Sequence, residues 1–149
     1  MSNEEKGNLK LICRNQEDLK VISAYSQDSI VAIKDITFLR KNRIFIMIIN
    51  RFMWEDIERG VFRQNKRIRC AVKFEEISKI ISKNINQKKT DKILECLAIN
   101  SNLNDNNIYE TKIFFAGGGI ISLFSEVVEV VMHDLGKPWN VKRAPRHNI

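Results

Sequence analysis

From Arg67 to Phe74 the chain alternates without a break. Ile68, Cys70, Val72 and Phe74 are apolar, and Arg67, Arg69, Ala71 and Lys73 fall between them. Side chains of an extended strand point alternately to opposite faces, so this segment makes a strand with one apolar face and one mostly cationic face. The apolar face has to be covered by a second layer of the fold.

Other segments carry strand character as well. Ser29–Ile33 and Ile36–Arg40 are rich in β-branched residues, and Lys41-Asn42-Arg43 reads as a turn. The run Ile44–Ile49 is apolar at every position, which predicts a central strand covered on both sides. Residues 93–100 alternate, with Ile93, Glu95, Leu97 and Ile99 opposite Leu94, Cys96 and Ala98. Tyr109–Ala116 and Ile120–Phe124 flank Gly117-Gly118-Gly119, a hairpin signal. Glu75–Ile85 is ambiguous. Ile77, Ile80, Ile81 and Ile85 have near-helical spacing, but their β-branching favours a strand, which is the reading adopted. The connections are Arg51–Asn65, charged and irregular with room for one helical turn, the polar turn Asn86–Asp91, and Ser101–Asn107, expected to be a mobile loop.

Two helices are expected. The first runs over about residues 16–27, with Asn15 as cap, Asp18 near its N-terminus, and Leu19, Ile22 and Ser26 on one face. The second spans Glu126–Leu135, with Val127, Val130 and Val131 on one face, Gly136 as C-terminal cap and Pro138 forbidding continuation. Its valines suit a strand equally. The order argues an α+β single domain over 1–149: a mostly antiparallel curved sheet or roll with an N-terminal and a C-terminal helix. Residues 1–8 and 140–149 are expected to be flexible tails.

Composition narrows the function classes. Of 149 residues, 44% are hydrophobic and 29% charged, the balance of a folded globular chain. The net charge of +7 points toward nucleic acid, an anionic membrane or an acidic partner. The 22 Ile, 15 Asn and 15 Lys temper this, because AT-rich codons encode all three and would inflate lysine without selection for binding. Cys13, Cys70 and Cys96 are odd in number and far apart, and only two histidines are present, so no zinc site is supported and the thiols read as reduced small hydrophobes. The longest apolar run is far short of the ~20 residues that span a bilayer, and the start lacks a signal peptide's apolar core. The expected location is cytoplasmic, with no membrane association.

Four patterns occur in order along the chain: Asp18-Leu19-Lys20-Val21-Ile22-Ser23-Ala24 running into Gln27-Asp28-Ser29; Asn50-Arg51-Phe52-Met53-Trp54-Glu55; Phe115-Ala116-Gly117-Gly118-Gly119; and Asp134-Leu135-Gly136-Lys137-Pro138-Trp139. With Pro145 and His147 in the tail, this combination resembles an alphaproteobacterial family of uncharacterised proteins, a domain of unknown function numbered twenty-nine forty-eight in its series. The likeness runs from about Leu9 to His147. It implies a cytoplasmic bacterial protein and a strand at Glu75–Ile85, and it carries over no activity, cofactor or catalytic residue. The chain departs from the pattern in being rich in lysine and isoleucine where relatives look rich in arginine and leucine.

No catalytic motif is present. Gly119 leads into Ile120-Ile121 instead of the Gly-Lys-Ser/Thr of a phosphate-binding loop, so the glycines read as a turn. His133 and His147 have no adjacent nucleophile motif. Glu55-Asp56 with Glu58, and Glu75-Glu76, read as solvated acids. The expectation leans away from an enzyme and calls for no cofactor and no metal. Arg51, Phe52 and Trp54, with Pro138 and Trp139, form a candidate protein-interaction patch, because Trp and Arg are enriched at interface hot spots. The competing reading has both tryptophans plugging the ends of the core. Arg67, Arg69 and Lys73, with Lys142, Arg143 and Arg146 of the tail, are candidate phosphate contacts. No aromatic interleaves on the Arg67 face of that strand, which counts against a single-strand binder. The leading expectation is a non-enzymatic interaction or accessory module with a protein partner. The alternatives are a nucleic-acid binder and an enzyme of unknown chemistry.

Overall fold

The computed structural model describes residues 9–54 and 65–141. Its strands are β1 Lys10–Cys13, β2 Ile30–Ala32, β3 Ile36–Leu39, β4 Ile44–Phe52, β5 Asn65–Phe74, β6 Ile77–Lys83, β7 Ile93–Leu103, β8 Tyr109–Phe115, β9 Ile120–Ser125 and β10 Val130–Val141, with the helix α1 at Leu19–Ser26. All pairings are antiparallel. The strands hydrogen-bond in the order β1-β10-β5-β4-β2-β7-β8-β9-β6, and β3 adds to β4.

The short β2 bridges the two halves of this sheet, pairing with β4 on one side and β7 on the other. The halves curl over one another, because residues from both form one core. Phe45, Met47, Ile49, Cys70, Val72, Phe74, Val130 and Met132 meet Leu94, Ile99, Ile113, Phe115, Ile121 and Leu123. Leu19 and Ile22 of α1 close one end, and α1 packs chiefly on β7. Burial of this apolar surface, at about 25 cal/mol per Å², is the main force holding the roll together.

Most of the strand readings match what is observed. β5 has the expected alternation, with Ile68, Cys70 and Val72 fully buried and Phe74 at 2%. β4 is central, with β5 on one side and β2 and β3 on the other. Its two faces differ, however: Phe45, Met47 and Ile49 are buried, whereas Ile44, Ile46 and Ile48 are half-buried. Gly117 (φ +87°) and Gly118 (φ +89°) make the β8–β9 turn in the left-handed region that glycine tolerates. Residues 77–83 are strand. At the start of α1, the Asn15 Oδ1 accepts the Asp18 N–H at 2.9 Å and the Asp18 carboxylate accepts the Arg14 N–H at 3.2 Å.

Five expectations are corrected. The C-terminal helix is absent: residues 130–141 form β10, the longest strand described, so the fold has helix only near its N-terminal side among the described residues. The true period there is two, with Val130, Met132 and Asp134 inward. A buried aspartate among the inward positions disguised the alternation. Gly136 (φ +73°) caps no helix and lies in a bulge where the register to β5 shifts between Leu135 and Trp139, a place that also tolerates Pro138. The irregular connection proposed from Arg51 begins later, because β4 runs on through Arg51 and Phe52; residues 55–64 lie outside the described residues. The loop proposed at 101–107 is strand up to Leu103, and Asn104 organises the turn by accepting the Asn106 and Ile108 N–H groups. In β7 a register shift between Cys96 and Ala98 moves the buried set from Leu94 and Cys96 to Ile99 and Ser101, where strict alternation put Ile99 on the face opposite Leu94 and Cys96. The terminal stretches 1–8 and 142–149 lie outside the described residues, and Asn140–Val141 belong to β10.

Candidate functional site

β1, β10, β5 and β4 are neighbours and form one sheet half with two dissimilar faces. On the inner face, Arg51 of β4 reaches past Ile68 of β5 to Asp134 of β10. The Arg51 Nε donates to Asp134 Oδ1 at 2.8 Å and Nη2 donates to Oδ2 at 2.8 Å, with both side chains 0% exposed. This is a two-pronged guanidinium–carboxylate pair, the geometry that best offsets the cost of burying two charges. The Leu9 N–H donates to the same carboxylate at 3.1 Å, which ties the approach to β1 onto β10. The Tyr25 ring of α1 stacks 5.6 Å from the Arg51 guanidinium. Cys70 lies beside Asp134, and burial followed by that carboxylate pushes its thiol up to about 12. Cys96 is likewise pushed up to about 12, by burial and then by Asp28.

On the outer face, cross-strand register brings together residues far apart in sequence. Trp139 of β10 and Phe52 of β4 lie on either side of Arg67 of β5. Leu135 and Asn50 flank Arg69, His133 and Ile48 flank Ala71, and Val131 and Ile46 flank Lys73. On β1, Lys10 pairs with His133 and Ile12 with Val131. The strip is roughly 15 Å wide across four strands. Asp134 is the single acidic residue in these four strands, and it points inward to Arg51. The outer positions therefore carry Lys10, Arg67, Arg69, Lys73 and His133 with no carboxylate among them.

The structure separates the five residues of the predicted interaction patch. Arg51 and Phe52 are 0% exposed, so neither is a surface hot spot. The Phe52 ring is covered edge-on by Trp54 at 4.6 Å, and the Arg67 guanidinium lies 5.8 Å from it. Trp54 is half-buried, and its indole N–H donates to the Gln27 carbonyl at 3.0 Å, so this tryptophan plugs the core's edge. Pro138 is half-buried and Trp139 is 40% exposed.

The predicted phosphate contacts also divide. Arg67 is half-buried and donates from Nη1 to the Asp28 and Asn50 carbonyls at 3.1 and 3.0 Å. Burial lowers its pKa, while Asp28 and Glu95 act to raise it. It is a scaffold cation, tied to two carbonyls and set against the Phe52 ring. Arg69 is exposed and Lys73 half-buried on the open face. Lys142, Arg143 and Arg146 lie outside the described residues. Sequence reasoning missed Leu135 and His133 as members of this face because it placed 126–135 in a helix, and Lys10 because it proposed no strand at Lys10–Cys13. It missed the aromatics beside Arg67 because they arrive from neighbouring strands.

Three of the four patterns that carry the family resemblance meet around this half-sheet: Arg51 and Trp54, Asp134 and Trp139, and Gln27 and Asp28. The fourth is adjacent, since Ala116 N donates to Glu95 O and Asp28 N to Cys96 O. Among the described residues, no helix is long and apolar enough to cross a membrane, and no group of three or more His, Cys, Asp or Glu is placed to hold a metal ion. A family model described as "Protein of unknown function (DUF2948)" matches residues 9–147. Comparison with curated proteins and with solved structures gave no match. The chain belongs to the DUF2948 family.

Proposed function

We propose that this DUF2948 member is a binding module that holds single-stranded nucleic acid on the outer face of β1, β10, β5 and β4. The observation that carries the reading is the asymmetry of charge: the one carboxylate of these strands is buried and paired with Arg51, and the outer positions are cationic around a 40%-exposed Trp139. Lys10, Arg69 and Lys73 contact phosphates, and Trp139 offers a surface on which a base stacks. Stacking of this kind is worth about 1–3 kcal/mol per base and tolerates any sequence. Arg67, tied to two carbonyls and the Phe52 ring, contributes little to phosphate contact. An exposed indole favours a single strand, whose bases can stack on it, over a duplex, whose bases are already stacked.

The test is fluorescence anisotropy of a labelled oligothymidylate titrated with the protein at several salt concentrations. Neutralising about three phosphates on a single strand gives a slope of log affinity against log salt near −2. Absence of binding at low salt, or affinity that does not respond to salt, removes the proposal.

A second reading keeps the same face and changes the partner. Ile12 (53% exposed) and Leu135 (37%) lie on it beside Trp139, which gives it apolar anchors suited to an acidic protein surface. A stoichiometric partner that co-purifies after nuclease treatment, and is lost on Leu135→Glu, would favour this reading.

A further inference from the structure

β3 pairs with β4 on the side away from β5, β6 pairs with β9 in the other half, and side chains of β3 and β6 come together along one seam. One corner of this seam is tied, since the Ile77 N–H donates to the Arg43 carbonyl at 2.8 Å. Beyond the corner the seam opens into a cleft of about 400 Å³ lined by apolar side chains of both halves, among them Ile36, Phe38, Ile80, Ile85 and Ile121. Four of these, Ile36, Phe38, Ile80 and Ile85, are only partly buried although they pack on the core. A concave apolar surface left in contact with water is a favourable place for an apolar ligand, and this volume lies in the range of small-molecule sites.

The charges of the lining specify the ligand further. Lys34 and Arg40 line the cleft with the neutral Ser82, Gln87 and Thr90, and no acidic residue is among its lining residues. The Arg40 guanidinium is held 5.3 Å above the Phe38 ring, which places its charge beside the apolar wall. Lys34 pairs with Asp91 at 3.5 Å, but both side chains are well exposed, and a surface pair of this kind yields readily to another anion.

We infer that the cleft between β3 and β6 binds a small monoanionic amphiphile: a carboxylate or similar head at Arg40 and Lys34, with a linear aliphatic tail among Ile36, Phe38, Ile80, Ile85 and Ile121. The cleft's volume falls within the range of small-molecule sites, so the tail is a short one, and a ten-carbon acid serves as the probe. This site is separate from the outer face of β1, β10, β5 and β4 and does not depend on the function proposed for it.

The experiment titrates the protein with decanoate, below its micelle threshold, and follows the isoleucine methyl signals by NMR. Saturable shifts confined to Ile33, Ile36, Ile80, Ile85 and Ile121 are expected, with decanol binding about threefold or more weakly for want of the head-group pair. Arg40→Gln should weaken decanoate by about threefold and leave decanol unchanged. Ser82→Phe, which fills the cleft, should abolish binding of both. If that variant misfolds, the methyl map of the unaltered protein decides alone. A parallel titration with vesicles containing an anionic phospholipid separates the sources: the same methyl shifts mean that the tail is taken from a lipid, and no shifts mean that the free acid is the ligand. No decanoate binding, shifts scattered away from the cleft, or decanol binding as tightly as decanoate would overturn the inference.

Discussion

Arg51 and Arg67 sit one row apart on adjacent strands, and their fates are opposite. Arg51 points inward, is 0% exposed, and is held by two prongs of Asp134. Arg67 points outward, is half-buried, and spends its guanidinium on backbone carbonyls and the Phe52 ring. One step further along β5, Arg69 is exposed. The same residue type thus serves as internal clamp, scaffold and surface charge within one patch of sheet. The pleat decides which, because successive side chains leave by opposite faces. Having its only carboxylate committed inside is what leaves the outer face of these four strands cationic. Structure and proposed function are coupled through that one residue.

The largest effect should come from breaking the inner clamp. Asp134→Ala takes the carboxylate away from the buried Arg51 guanidinium and should cost about 3–5 kcal/mol in chemical denaturation. Arg51→Met with Asp134→Leu removes both charges and should recover most of that loss, because a buried pair and a well-packed apolar replacement are close in energy. Equal destabilisation by the single and the double variant would mean that the pair's charge is not what the site depends on.

The outer face should respond in affinity and hardly at all in stability. Arg69→Glu with Lys73→Glu should weaken oligothymidylate by tenfold or more, at about 1.4 kcal/mol per tenfold, while the unfolding free energy moves by less than about 0.5 kcal/mol. A variant that binds as before would detach these two residues from the proposed function.

The inner face also makes a prediction in pH. Cys70 and Cys96 have folded pKa values raised to about 12 from an ordinary 9.0, so their neutral forms are favoured in the native state. The stability this contributes is fully present below pH 9 and is lost as pH rises through the folded values toward 12. Denaturation midpoints should therefore fall across that window, and replacing both thiols by alanine should flatten the fall. At pH 8 a chromogenic thiol reagent should react only as fast as the protein unfolds. Rapid labelling of the native protein would show that the interior is open.

The smallest effect is local. Gly136→Ala places a side chain at φ +73° in the β10 bulge, with no neighbour within 4 Å to clash, so the cost is the left-handed backbone alone, about 1 kcal/mol in denaturation.

Much of the inner face was legible in the sequence, because β5, β8 and β9 announce themselves by alternation and by glycines at the turn. β10 was not, and the reason is physical. Its inward set is Val130, Met132 and Asp134, and the period-two pattern is recognisable only once Asp134 is known to be paired with a residue 83 positions away. Read as polar and therefore outward, Asp134 leaves Val127, Val130 and Val131 to suggest a helix. The outer face was legible in part. Arg67, Arg69 and Lys73 follow from one strand's alternation, but Trp139, Leu135, His133 and Lys10 join them through cross-strand register, which no local pattern encodes. The β7 bulge is a similar case: one inserted residue re-aims Ile99, and nothing in residues 93–100 marks it.

The most direct measurement uses the two tryptophans. Trp54→Phe removes the half-buried indole, costing about 1 kcal/mol for its hydrogen bond, and leaves Trp139 as the sole tryptophan emitter. This variant is titrated with oligothymidylate while tryptophan emission and oligonucleotide anisotropy are read together. The account predicts that Trp139 emission is quenched in step with binding, and that both signals weaken together as salt rises. Binding seen by anisotropy with Trp139 emission unchanged, or no binding at all, would contradict it.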